Sequence, residues 1–221
     1  MVTQEYKLGY TPIEGEFKYG IISNLITPQE NVELLDIIEE YCEPLQESIS
    51  SGEFFIFSED YTASNKWLHP EGELNDRWNV IRVNIEERLS SLVITEHYPI
   101  LKRRDSSNMK WMIGLTVSSN KELSPHNDDP VEARELMKDE SIPVTSGIYK
   151  GVLYLGYPDK DYTGYGTRFY KRESDDVYTQ LTEIPFIPGN ACIFQADSHS
   201  YHGTEYPTFK HSRYTVTLEY F

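Results

Sequence analysis

Apolar residues recur every three or four positions in two early stretches of the chain, and from Lys110 onward they switch to short segments of alternating character. In Thr27-Pro28-Gln29-Glu30 a hydroxyl residue stands three positions before a glutamate, with proline at the first helical position, which is the form of a capping box. Val32, Leu35, Ile38, Cys42 and Leu45 follow at intervals of three or four and predict an amphipathic helix over 28–46. Trp78, Ile81, Ile85, Leu89 and Leu92 predict a second over 75–94, ending before His97-Tyr98-Pro99. Both stripes call for a sheet to lie on. After Lys110, segments rich in Val, Ile, Tyr, Phe and Thr are separated by Gly, Pro, Asp and Asn, and predict strands near 110–118, 145–156, 166–171, 176–184, 190–195, 200–205 and 213–220. Short, evenly spaced strands with long connections fit a double-sheet jelly roll, so the expected fold is mainly β with supporting α-helices around a cupin-like double-stranded β-helix. With no repeat, low-complexity tract or linker, 1–221 reads as a single domain, in which 1–104 supplies supporting helices and strands and 105–221 the jelly-roll core. An insertion at 130–138, opening on the N1-type proline Pro130, predicts a helix that is either a lid or an ordinary surface connection.

Composition narrows the possible partners more than it names one. The 17 Tyr and 9 Phe suit a sheet-rich globular protein. The formal net charge of −16 repels phosphate backbones and anionic membranes, so nucleic acid is not an expected partner. Cys42 and Cys192 lie in a helical and a strand segment and suggest reduced core thiols rather than a disulfide framework. The opening residues lack a basic, then apolar, leader, and no segment approaches a membrane span, from which a soluble, cytoplasmic protein is expected. Oligomeric state is open.

The candidate chemistry is split along the chain. In His126-Asn127-Asp128 the first and third residues share a face if the segment is extended, so an imidazole and a carboxylate can turn to one metal. Alone, the trio is better read as a solvated turn after Ser124-Pro125. Downstream, Ile184-Pro185-Phe186-Ile187-Pro188-Gly189-Asn190 leads into Ala191-Cys192-Ile193-Phe194, and Ser200-Tyr201-His202-Gly203 follows. Arg213 and Thr215 share one face of the last strand, where the arginine offers a planar fork that matches a carboxylate.

Together, in this order, these motifs over roughly 105–221 resemble the iron(II)- and 2-oxoglutarate-dependent oxygenases, particularly small members akin to the prolyl and phytanoyl hydroxylases. The strand Tyr165-Gly166-Thr167-Arg168-Phe169-Tyr170 is similar to one found between the ligand groups in many relatives, with Tyr165 replacing the first glycine. The resemblance implies a facial triad of His126, Asp128 and His202 on Fe(II), with positions open for 2-oxoglutarate and O₂. It implies that Arg213 and Thr215 bind the distal carboxylate of 2-oxoglutarate, with Tyr154 within reach of it. His199 is the rival ligand to His202, but lacks the following glycine and would leave the arginine too far along; a place beside the ligands or on the surface suits it better. Asp129 would receive a substrate ammonium or stay solvated, and Asn108, Lys110 and Trp111 would border the pocket. Keeping the carboxylate at Asp128 favours hydroxylation over halogenation, with desaturation and ring closure open.

The implied activity is hydroxylation of an unactivated C–H bond of a small molecule such as an amino acid or related metabolite. A protein or peptide side chain is the second substrate class. From another class comes a non-catalytic or cupin-like jelly-roll binding protein, which would have no need of Arg213.

Overall fold

The computed structural model describes residues 8–12, 18–42, 55–57, 73–94, 111–118, 123–127, 148–196, 198–204 and 213–220. Three strands, β1 (Leu8–Pro12), β2 (Lys18–Ile22) and β3 (Phe55–Phe57), and two helices, α1 (Pro28–Cys42) and α2 (Glu73–Ile94), precede the strands β4 (Trp111–Ser118), β5 (Leu123–His126), β6 (Ile148–Leu155), β7 (Thr167–Ser174), β8 (Val177–Ile184), β9 (Ala191–Ala196), β10 (Tyr201–Thr204) and β11 (Arg213–Tyr220). They form a larger sheet in the order β1-β2-β9-β6-β11-β4-β3 and a smaller one in the order β5-β10-β7-β8, every pair antiparallel. From β4 to β11 the chain crosses repeatedly between the sheets, β7 and β8 alone pairing in sequence. This is the double-stranded β-helix that the strand spacing predicts.

The capping box forms as expected. Glu30 N–H donates to Thr27 Oγ1 at 3.1 Å while Thr27 N–H donates back to Glu30 Oε2 at 2.8 Å. Of the predicted stripe of α1, Leu35 and Ile38 are buried but Val32 is 46% exposed, and the inward face is completed by Leu34, Ile37 and a polar residue, Asn31. Asn31 holds that place because its amide is fully used: Nδ2 donates to Gly156 O at 2.8 Å, and Oδ1 accepts from Gly156 N–H at 3.2 Å. The stripe of α2 is as predicted at Trp78, Ile81, Ile85 and Leu89, all buried. α1 contacts β6 and α2 contacts β4, so both helices lie against the larger sheet. Residues 43–46, Leu45 among them, the helix expected over 130–138, and Asn108, Lys110 and Asp129 lie outside the described residues. The side chains of Cys42, Leu92 and Trp111 do as well.

Helix α1 is tied to α2 by charge. Arg88 forks onto Glu30, Nη1 to Oε2 at 2.7 Å and Nη2 to Oε1 at 2.8 Å, and also donates to Leu25 O. Burial opposes ionisation of Glu30, but the Arg88 fork and the Thr27 donors outweigh it, and the carboxyl sits below its ordinary value. A depressed folded-state pKa means that the contribution is complete above the unfolded value of about 4.5 and is lost as pH falls from there through the folded one. Glu30→Gln is expected to cost about 1.5–3 kcal/mol at pH 7 in denaturant titrations. The gap between variant and parent should narrow below pH 4; an equal gap at pH 7 and pH 3 would contradict the ion-pair account.

Candidate functional site

The chain between β8 and β9 sets the site's inner wall. Pro188 and Gly189 occupy the central positions of a turn closed by Asn190 N–H donating to Ile187 O at 3.0 Å, and Gly189 has φ +85°, where only glycine sits without strain. Gly189 N–H then donates to Tyr154 O, and Tyr154 N–H to Asn190 O, each at 2.9 Å. The proline-glycine turn thereby clamps the backbone of β6 at Tyr154.

From Tyr154 the inward face can be read outward. Its hydroxyl donates to Thr167 Oγ1 on the opposite sheet at 2.8 Å, so Tyr154 points between the sheets. Thr215 lies in register with Tyr154 and shares its face, and Arg213 follows by the period of two. Both are buried, Arg213 at 8% and Thr215 at 3% exposure. The Arg213 Nε donates to Tyr165 O at 3.0 Å, Nη2 reaches Thr167 Oγ1 at 3.5 Å, and the guanidinium carbon stands 5.8 Å from the Tyr154 ring centre. Burial, helped by the nearby Cys192 thiol, pushes the Tyr154 phenol up, against the pull of Arg213 and Thr167, so it remains a protonated donor. Cys192 is a free, buried thiol in β9, and burial pushes it up too.

The close packing that brings Thr167 here depends on Gly166. A Cβ on Gly166 would meet Ile184 O at 2.1 Å, and Ile184 is the register partner of Thr167 at the end of β8.

The two histidines meet at the other end of the interior. β10 pairs with β5 so that His202 lies opposite His126, and their ring centres are 4.4 Å apart. His202 is buried and packs 4.5 Å from Phe194 of β9 and 6.4 Å from Phe169 of β7. Its Nδ1 lies 2.9 Å from Ser200 O. A carbonyl can only accept, so Nδ1 carries the proton and the lone pair of the neutral ring is on Nε2, the form a metal ligand needs. His199, by contrast, is exposed in the turn before β10, with Nδ1 near Ser198 Oγ. Asp128 lies outside the described residues.

Two further residues belong here to which sequence reasoning gave no role of their own. Thr167 receives both Tyr154 and Arg213. Thr204 lies two residues along β10 from His202 on the same face, is 4% exposed, and its hydroxyl has no hydrogen-bond partner among the described residues. A buried hydroxyl in that condition invites a polar ligand or water. The two imidazoles could supply two ligands of a metal at the histidine end, where no third His, Cys, Asp or Glu stands among the described residues, and the guanidinium could meet an acid at the other end. A histidine paired with a histidine across two strands, or an orphan threonine beside them, is a signal only once strand register is known.

No protein-family model matches the sequence, and no curated protein matches it. Solved structures match the fold. AviO1 from Streptomyces viridochromogenes Tue57 superposes with a TM-score of 0.53 at 11% identity, covering 93% of this chain and 90% of that one. A prolyl hydroxylase from Trichoplax adhaerens, solved in complex with a hypoxia-inducible-factor oxygen degradation domain peptide fragment, superposes at 0.50 with 14% identity, covering 92% and 83%. At such identities the likeness is one of fold.

Thr167→Val leaves the Tyr154 hydroxyl buried without its acceptor and is expected to cost about 1–3 kcal/mol, whereas Thr167→Ser keeps the oxygen and most of the stability. Denaturant titrations of the two variants check this; equal losses would show that the methyl, not the hydroxyl, matters.

Proposed function

We propose that the chain is an Fe(II)- and 2-oxoglutarate-dependent dioxygenase, hydroxylating an unactivated C–H bond of a small molecule such as an amino acid or related metabolite. The observation that carries this reading is the register pairing of His126 with His202 inside a double-stranded β-helix whose interior also buries Arg213, Thr215 and Tyr154. His126, Asp128 and His202 would hold the iron. Iron so held, with 2-oxoglutarate and O₂, supplies the oxidising power for hydroxylation, and 2-oxoglutarate leaves as succinate and CO₂.

The chain's own work is positioning. Ser200 O fixes the tautomer of His202, and Phe194 and Phe169 pack beside that ring and keep water away from it. Arg213 and Thr215 receive the distal carboxylate, and Tyr154 adds a neutral donor because its phenol stays protonated. The convergence of Tyr154 and Arg213 on Thr167 Oγ1 supports this, since two donors already aim at one acceptor position. A cupin-like binding protein would not need a buried guanidinium there. The net charge of −16 argues against a nucleic-acid substrate, and no described helix is long and apolar enough to cross a membrane.

Anaerobic addition of Fe(II) and then 2-oxoglutarate should produce the weak visible charge-transfer band of a chelated keto acid; iron bound without a band would remove the keto acid from the reading. Arg213→Ala should weaken 2-oxoglutarate binding by about 10- to 100-fold, the worth of a charge-assisted contact, with iron still bound. Asp128→Ala should abolish substrate-dependent succinate formation, and undiminished succinate in that variant would disprove the ligand assignment.

A further inference from the structure

The β7–β8 hairpin ends the smaller sheet on an open edge. β8 is the last strand of that sheet and pairs only with β7 among the described residues. Thr179 and Gln180 are exposed, as are Val177 at 52% and Leu181 at 37%, so the edge is uncovered at these positions. On its other side the hairpin outruns its support. β10 begins at Tyr201, the register partner of Tyr170, which leaves 171–174 and 177–179 as a two-stranded ribbon. Such a ribbon is marginal by itself and gains from a further strand. Open edges are usually blunted by a lysine, a proline or an inward charge. Val177-Tyr178-Thr179-Gln180-Leu181-Thr182 has none of these and carries no charge, although 25% of the chain is charged. Its one blunting device is a bulge: Phe169 pairs with Thr182 and Tyr170 with Gln180, so Leu181 is the extra residue. That leaves 177–181 as the stretch free to receive a strand.

We propose that β8 pairs antiparallel with β8 of a second copy of this chain, about a two-fold axis at Thr179. The stretch is self-complementary in that register. Val177 of each copy lies directly opposite Leu181 of the other, so the two exposed apolar residues of the strand cover each other, with Tyr178 opposite Gln180 and Thr179 opposite its own copy. Charge selects the same partner and place. Two copies of net charge −16 repel over most of their surfaces, and an uncharged edge is where they can meet. The bulge bends the strand away after Leu181, so the acidic turn Asp175-Asp176 of one copy is not carried onto Glu183 of the other. Five residues span only about 17 Å, well short of a standard interface, so the dimer dissociates on dilution. The ribbon runs on from Phe169, whose ring centre is 6.4 Å from that of His202, and the joined hairpins therefore lie next to the histidine end of both copies.

Sedimentation of the full chain in reducing buffer, over a concentration series from micromolar to near-millimolar, reads the association. We expect the parent to pass from monomer to dimer across the series. The double variant Val177→Lys, Leu181→Lys, which sets like charges opposite each other, should raise the dimer Kd at least tenfold with an unchanged far-UV circular dichroism spectrum. Oxidative cross-linking reads the register. Thr179→Cys, at the axis, should form a disulfide-linked dimer at least tenfold faster than Val177→Cys, which in this register lies four residues from its own copy. A parent that stays monomeric throughout overturns the proposal and leaves the edge to a strand of another molecule. A dimer that the two lysines leave intact overturns it too, as does equal cross-linking of Thr179→Cys and Val177→Cys. If the lysine variant does not fold, the cross-linking comparison decides alone.

Discussion

The hydrogen bond from the Tyr154 hydroxyl to Thr167 Oγ1 decides how the two sheets face each other. Both partners are buried, so the bond cannot be exchanged for water, and sliding one sheet past the other would strand two polar groups in an aromatic interior. Each partner is fixed in turn by its own strand. Tyr154 is clamped through its backbone by Gly189 and Asn190, and Thr167 is brought close by a glycine, Gly166, that leaves no room for a Cβ. With those two strands set, register alone puts Thr215 beside Tyr154 and His202 beside Phe169. The arginine end and the histidine end of the interior are thus one construction, held by a phenol that burial keeps protonated.

Much of this was legible in the residues, for reasons that can be named. Alternation and turn residues gave the strands from β6 to β11 nearly to their ends, and the Thr27–Glu30 box gave the start of α1. β5 was given no limits, although His126 was expected at a strand end and stands at one. Leu123-Ser124-Pro125-His126 contains a proline and is too short to alternate, and it becomes a strand by pairing with β10, with a bulge in the register. β1, β2 and β3 were given no limits either, since each is defined by an antiparallel partner elsewhere in the larger sheet. The first turn of α1 departs from the predicted stripe, with Val32 exposed and the inward slot held by Asn31, whose value lies in two backbone bonds to Gly156 that no hydrophobic count contains.

The site divides the same way. His126, His202 and Arg213 stand out in sequence because their types are rare and chemically pointed. Thr167 and Thr204 do not, since threonine is an ordinary strand residue, and what marks them is geometry: two donors converging on one oxygen, and a buried hydroxyl with no described partner.

Charge then separates outside from inside. The formal net charge of −16 disfavours anions at a distance, yet the inward face of the larger sheet buries a guanidinium, that of Arg213. Long-range repulsion is screened within about 8 Å at physiological salt, whereas a contact in a desolvated interior is screened far less. An acidic surface therefore costs a small dianion little once it has entered, and the buried cation decides where it rests. On the proposed reading Arg213, forked and braced by Tyr165 O and Thr167, takes the distal end of the keto acid, so that its other end is presented toward the paired histidines, where the oxidising power is needed.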